Sequence, residues 1–267
     1  MLDEATVRQL AEELHEAEKS RVQIKQFSQR FPDIQFEDCY RVQREWVRLK
    51  LAEGQRQIGR KIGITSRAMQ RFANITEPDY GVLLDDMLIA EESTIASDRF
   101  IQPMVEVELA FILDRELRGP NVSVVDVLNA TAWVVPALEI IDARIQRIDP
   151  ETKAQRRVLD TISDNAANGG IVLGARPVRP DAVDLRWVGT ILQKNGVVEE
   201  TGLAAGVLNH PANGIAWLAN KLSPWDEHLA PDEIILAGSF TRVLPAESGD
   251  VFCADYGPLG TLSVRFG

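Results

Sequence analysis

Three glutamates carry the most pointed chemistry in this 267-residue chain. In PMVEVELAFIL, residues 103–113, Glu106 and Glu108 alternate with Val105, Val107 and Leu109. Strand side chains alternate between faces, so in a strand both carboxylates leave from the same one. Glu139 stands in a similar apolar setting in VVPALEIIDARI. Like charges driven into an apolar ribbon are costly unless something compensates them. Three carboxylates from two segments could together serve as the all-oxygen ligand set of a hard divalent cation, Mg²⁺ or Mn²⁺. Mg²⁺ is six-coordinate, so three single-oxygen ligands leave about three positions for water or a chelating substrate. The competing reading keeps these glutamates on a solvated sheet face or pairs them with Arg or Lys, because half-exposed strands alternate in any case.

Other segments hold candidate reactive groups. In GRKIGIT, residues 59–65, Lys61 lies among glycines and apolar residues. Desolvation there would lower its pKa or fit it to hold an anion, and the alternative is a surface lysine at a strand edge. Asp79 in PDYG is placed as a turn residue, where an Asx-turn is the ordinary role. SDNAANGG (163–170) and GSFT (238–241) concentrate short polar groups, Ser163, Asn165, Ser239 and Thr241 among them, that could face an oxyanion or simply build loops. His15, His210 and His228 are isolated, without HExxH or a triad-like spacing, and are read as structural. Neither GxGxxG nor GxxxxGK[ST] occurs, so a nucleotide cofactor has no support.

The elements that must position these groups follow from the hydrophobic pattern. Val7, Leu10 and Leu14 recur at helical spacing near the start, and FEDCYRVQREWVRLKLAEG predicts a second helix with Tyr40, Val47 and Leu51 inward and Gly54 as its stop. From about residue 57 the period changes to short apolar runs broken by Gly, Pro, Asn and Asp, the pattern of strands. The expected strands include IGRKIGIT, DDMLIA, PMVEVELAFIL, AWVVPALEIIDARI, GGIVLG, DLRWVGTILQKNG, DEIILAGSFT and VFCADYGPLGTLSVRF, the last two closing one sheet system. Asn195-Gly196 marks a hairpin. HPANGIAWLANKL predicts a helix with Asn209 as cap, Pro211 in the first turn and Ile215, Leu218 and Leu222 as its stripe. The division is an N-terminal helical cap, 1–56, and a strand-rich unit, 57–267.

With 45% hydrophobic and 26% charged residues the composition is that of an ordered globular chain. A net charge of −11 disfavours nucleic acid and anionic membrane, and an anionic substrate then needs a local positive centre. Cys39 and Cys253 form no CxxC, which points to neither disulfide framework nor zinc site and fits a reducing cytoplasm. No secretory signal or membrane span is read from the sequence.

Together, KIGIT, EPDYGVLLDDM, PMVEVELAFIL, PALEIIDARI, SDNAANGGIVLG, NHPANGIAWLANKL and AGSFTR resemble the 2-keto-4-pentenoate hydratase and 4-oxalocrotonate decarboxylase family within the fumarylacetoacetate hydrolase superfamily. The resemblance runs from about residue 5 to the C-terminus in unbroken order. It implies an α+β fold with a mixed β-roll core and a small N-terminal helical region, a Mg²⁺ or Mn²⁺ cofactor, and a homo-oligomer, decameric in some relatives. It places metal ligands at Glu106, Glu108 and Glu139, the active-site lysine at Lys61 and an active-site aspartate at Asp79. Ser163, Asn165, Ser239 and Thr241 fall near the substrate by motif position alone. The implied substrate is a small 2-oxo diacid that is hydrated, with hydration of 2-oxopent-4-enoate or decarboxylation of 4-oxalocrotonate on the same ligand set as the alternatives. A C–C hydrolase of the superfamily would need a His/Glu dyad that the chain does not offer, and an inactive partner subunit would not need the intact glutamates and lysine. Many relatives carry a basic residue where this chain has Met104. The distal carboxylate therefore needs another partner, with Arg60 and Arg67 among the candidates.

Overall fold

In the computed structural model, which describes residues 1–267, Asp3 starts the first helix, α1 (Glu4–Ser20), by accepting from Thr6 N at 2.7 Å. Val7, Leu10 and Leu14 are buried as their spacing predicts. A short turn of helix, α2 (Phe27–Arg30), leads to α3 (Phe36–Ala52), which lays Cys39, Val42, Trp46 and Val47 against α1. Leu51, expected inward, is exposed; the buried stripe runs instead through Lys50, because Glu18 meets its ammonium at 2.9 Å. These helices share one apolar cluster with Val82, Leu84, Ile145, Leu159 and Ile162 from later segments, so the N-terminal region packs directly on the strand-rich part.

Thirteen strands follow: β1 (Gln57–Gly63), β2 (Asp79–Leu84), β3 (Leu88–Ile89), β4 (Thr94–Ile95), β5 (Met104–Leu113), β6 (Thr131–Ile141), β7 (Asn168–Leu173), β8 (Gly189–Lys194), β9 (Val197–Leu203), β10 (Ile234–Leu236), β11 (Leu244–Pro245), β12 (Val251–Asp255) and β13 (Thr261–Phe266). Between them lie α4 (Arg67–Phe72), α5 (Val124–Ala130), α6 (Val158–Ser163) and α7 (Pro211–Leu222). The strands form two sheets rather than one. The larger runs β2-β1-β10-β5-β6-β7-β3 with β11 on β5, and the smaller runs β4-β13-β12-β8-β9. DEIILA joins the first sheet and VFCAD and TLSVRF the second, so the expected single closure is divided. Asn195 and Gly196 take φ of 54° and 79°, the hairpin turn expected between β8 and β9. In DDMLIA only Leu88–Ile89 is strand, since Asp85–Met87 forms a 3₁₀ turn. The cap of α7 is His210, whose Nδ1 accepts from Ala212 N at 3.1 Å; Asn209, expected there, lies outside the helix with φ 69°. Ile215, Leu218 and Leu222 are buried as predicted.

The two faces of the large sheet differ. One face, with Val105, Val107, Leu109 and Phe111 of β5, packs in the main core with α7 and with Phe252 and Leu262 of the second sheet. The other carries Glu106, Glu108 and Glu139 beside a small cluster that includes Ala110, Ala137, Ile171 and Leu236. β1 and β6 are separated by β10 and β5, or roughly 14 Å in a flat sheet. Yet Lys61 Nζ lies 3.2 Å from Glu139 Oε1. The sheet must therefore curl with its carboxylate face inward, as a β-roll does.

Asn165 completes that curl. Its side-chain amide accepts from Val82 N at 2.8 Å and donates to Val82 O at 2.9 Å, fastening the edge strand β2 to the segment that enters β7. Asn165 is 1% exposed and has φ 49°, a left-handed backbone that asparagine tolerates. Asn165→Ala is expected to orphan two buried backbone groups and cost about 2–4 kcal/mol, read as a lower denaturant midpoint at unchanged slope.

Candidate active site

The register of β5 and β6 assembles the acidic cluster. Glu106 lies opposite Glu139, and Glu108 lies opposite Ala137, a small neighbour. Each glutamate offers one carboxylate oxygen, and these three atoms lie within 4.8 Å of one another. Glu108 and Glu139 are 1% and 0% exposed, whereas Glu106 is partly exposed and marks the open side. Gly238 N donates to Glu108 Oε2 at 2.7 Å, and Asn168 Nδ2 donates to Glu139 Oε1 at 2.7 Å. Glu139 Oε2 is buried with no hydrogen-bond partner. The Tyr256 hydroxyl lies 3.0 Å from Glu108 O and 2.6 Å from Ala137 O, tying β5 to β6 beneath the cluster.

Two further groups face the same space. Lys61 is 3% exposed in β1 between β2 and β10, not on a strand edge. Asp79 opens β2, pairs in register with Gly63 and is 1% exposed, with neither carboxylate oxygen hydrogen-bonded. Gly63 is what makes room for it: a Cβ there would lie 2.2 Å from Asp79 Oδ1 and 3.4 Å from Lys61 Nζ.

Four carboxylates thus surround one ammonium, and the electrostatics record the imbalance. Burial, followed by repulsion from Glu139, pushes Glu106 up to about 7 and Glu108 well above the ordinary carboxylate range. Burial also raises Asp79, against the pull of Lys61. For Lys61 burial favours the neutral amine, but Glu139, Asp79, Glu106 and Glu108 together outweigh it and hold the proton more tightly than usual. An all-oxygen donor set with a buried orphan oxygen and excess negative charge fits a hard divalent cation. Cation binding must then displace the proton held to about pH 7. Mg²⁺ affinity is expected to weaken as pH falls from 8 to 6, approaching about tenfold per pH unit for each proton displaced, measurable by calorimetry.

Comparison with known proteins decides the family. Residues 50–266 match the family model described as fumarylacetoacetate (FAA) hydrolase C-terminal. The chain belongs to the fumarylacetoacetate hydrolase family. It is 59% identical over 266 residues to 2-oxo-hept-4-ene-1,7-dioate hydratase of Escherichia coli, covering 100% of both chains. It is 37% identical to 2-hydroxyhexa-2,4-dienoate hydratase of Comamonas testosteroni, covering 100% of this chain and 99% of the relative. Among solved structures, 4-oxalocrotonate decarboxylase from Pseudomonas putida G7, complexed with magnesium and adipate, superposes with TM-score 0.94 at 33% identity, covering 100% of this chain and 99% of that one.

Within this fumarylacetoacetate hydrolase fold the remaining sequence candidates divide. Ser163 Oγ donates to Leu159 O at 2.9 Å inside α6, and the side-chain oxygen and nitrogen of Asn165 both bond to Val82, so each makes a structural contact. Ser239 Oγ closes a local turn with Thr241, accepting from its N at 3.3 Å and donating to its O at 3.0 Å. Thr241 Oγ1 is buried and unpartnered. Arg60 lies on the opposite face of β1 from Lys61 and pairs with Glu227 at 2.8 Å, while Arg67 is exposed on α4. The histidines serve elsewhere: His15 contacts Glu53, His210 caps α7 and His228 contacts Arg118.

Sequence reasoning missed Asn168, which is 0% exposed. Its backbone carbonyl accepts from Arg144 Nη1 at 3.1 Å, and Arg144 is in turn locked to Asp164 through Nε and to Asp164 O at 2.8 Å. A buried ion pair therefore braces the residue that orients Glu139. The signal available was an Asn immediately before the Gly-Gly of a strand two register positions from the glutamate, which becomes specific only once β6 and β7 are paired.

Proposed function

We propose that the chain is a hydro-lyase. It adds water to 2-oxohept-4-ene-1,7-dioate, in equilibrium with 2-hydroxyhepta-2,4-dienedioate, to give 4-hydroxy-2-oxoheptane-1,7-dioate in homoprotocatechuate catabolism. The observation that carries this reading is the Glu106–Glu108–Glu139 cluster facing the buried Lys61 and Asp79. Identity of 59% to a hydratase of that name supports the substrate. The reading includes a Mg²⁺ or Mn²⁺ cofactor and a cytoplasmic homo-oligomer. No helix is long and apolar enough to cross a membrane.

Glu106, Glu108 and Glu139 would hold the divalent cation, which would supply a Lewis acid for the negative charge that develops at the substrate's 2-oxo group. The side chains around it do the rest. Lys61 Nζ and the Asp79 carboxyl group carry the protons exchanged at C3 and C5 as the double bond moves into conjugation with the 2-oxo group. Water then adds its oxygen at C4 and the proton returns to C3, so one water is consumed and nothing is released. Burial excludes competing solvent from the pair and keeps its proton inventory fixed. Asn168 and Gly238 N hold one oxygen of Glu139 and one of Glu108, so that each carboxylate presents the other.

A decarboxylase would use the same cluster, and the TM-score of 0.94 to 4-oxalocrotonate decarboxylase makes it the reading to test against. Supplying 2-oxohept-4-ene-1,7-dioate, 2-oxopent-4-enoate and 4-oxalocrotonate with Mg²⁺, while following dienol absorbance and CO₂, separates the cases. Fastest loss of the heptenedioate dienol without CO₂ is expected. Dominant CO₂ release from 4-oxalocrotonate overturns the hydratase in favour of the decarboxylase, and preference for 2-oxopent-4-enoate overturns the diacid.

A further inference from the structure

Two arginines the sequence did not single out face one another on the loop between β6 and α6. Ile148 and Gln155 form an antiparallel bridge there, and Arg156 N donates to Arg147 O at 2.8 Å, so the two arginines stand opposite one another on the next rung of one hairpin-like loop. Arg147 Nη1 rests on Met104 Sδ, Nη2 donates to Gln102 O at 3.3 Å, and Nε is buried with no partner. Arg156 Nη1 is also buried and unpartnered; its nearest carboxylate oxygen, Asp164 Oδ2, is 3.8 Å away, too far for a hydrogen bond. Burial, followed by the neighbouring Arg156, pushes Arg147 down to about 10, and burial lowers Arg156 as well. Two guanidiniums brought together with donors unfilled form a site lacking an anion, because the planar fork of arginine is matched by a carboxylate.

Its position says which carboxylate. Met104 lies on the same face of β5 as Glu106, two residues or about 6.6 Å along the strand. Arg147 feels the charge of Glu106, and Arg156 that of Asp79. The pair thus stands on the open side of the cluster, beyond the partly exposed Glu106. We propose that Arg147 and Arg156 bind the distal carboxylate of a 2-oxo diacid whose other end lies at the glutamate cluster, and so select diacids over monoacids. The proposal rests on the hydratase reading for the identity of the substrate, and its chemistry asks only for a 2-oxo diacid.

The test compares two unreactive probes of equal length, 2-oxoheptanedioate and 2-oxoheptanoate, titrated by calorimetry into the full chain with Mg²⁺. The unaltered protein is expected to favour the diacid. Arg147→Gln and Arg156→Gln are each expected to weaken diacid binding about 10- to 100-fold, the range of one lost charge-assisted hydrogen bond or more, and to narrow the gap to the monoacid. Arg147→Lys should recover part of the preference, a readout that loss of folding would not give. Equal affinity for the two probes in the unaltered protein, or an unchanged preference in the double variant, overturns the proposal. These titrations need no turnover, so failure of the hydratase reading appears separately, as absence of water addition to the dienoic acids.

Discussion

Glu108→Gln is expected to abolish Mg²⁺-dependent turnover and, in the metal-free protein at pH 8, to raise the melting temperature. An unfolded glutamate ionises near 4.5, whereas burial and Glu139 keep Glu108 protonated well above that. Between the two values the native state holds more protons than the unfolded state, so the stability of the metal-free protein falls as pH rises through that window. A neutral amide of the same shape removes that penalty while still accepting from Gly238 N. Relief of about 1 kcal/mol moves the melting temperature by roughly 2–4 °C in a chain of this size. The same substitution withdraws a proposed ligand, so the stabilisation that Mg²⁺ gives the unaltered protein should shrink. Full turnover in the variant would remove Glu108 from the metal site, and an unchanged or lower melting temperature would contradict the charge imbalance.

Lys61→Met should lower kcat by about 10²- to 10⁴-fold, the usual contribution of a positioned proton-transfer group. Mg²⁺ affinity should move the other way and tighten, because a positive charge 3.2 Å from Glu139 Oε1 is gone. A variant that merely lost its fold would lose both. A cation held there would also change what Lys61 experiences. It would compensate the carboxylates that hold the ammonium's proton, and the remaining influence, burial, favours the neutral amine. Calorimetry and single-turnover kinetics on the same preparation separate the two effects, and weakened Mg²⁺ binding would sink this account.

The carboxylate cluster was the most legible part of the sequence because it depends on local rules. Two-residue spacing fixes Glu106 and Glu108 on one face, and β6 is the next strand along, with Glu139 opposite Glu106. The Asn-Gly turn and the α7 stripe were legible for the same reason. Lys61 was ambiguous because a strand's place in its sheet is not written in the strand: IGRKIGIT reads the same on an edge or in the interior. Polar loop residues were the least legible. Asn165 and Thr241 look alike as short polar groups near a glycine, yet one is spent on Val82 and the other keeps a buried hydroxyl free. Arg147 and Arg156 were invisible because the pairing of Ile148 with Gln155 that aligns them has no periodic signature.

The fastening of β2 by Asn165 has a consequence for excursions from the native state. The three glutamates sit on strands adjacent in both sheet and sequence, while Asp79 belongs to the edge strand that the asparagine holds in place and Lys61 to its immediate neighbour. Local unfolding that begins at that edge therefore draws Asp79 and Lys61, the proposed proton-transfer groups, away first and leaves the three glutamates together. A partly opened molecule would keep its proposed cation but carry no acid or base beside it. Such breathing would be chemically silent under the proposed mechanism until the edge strand returns.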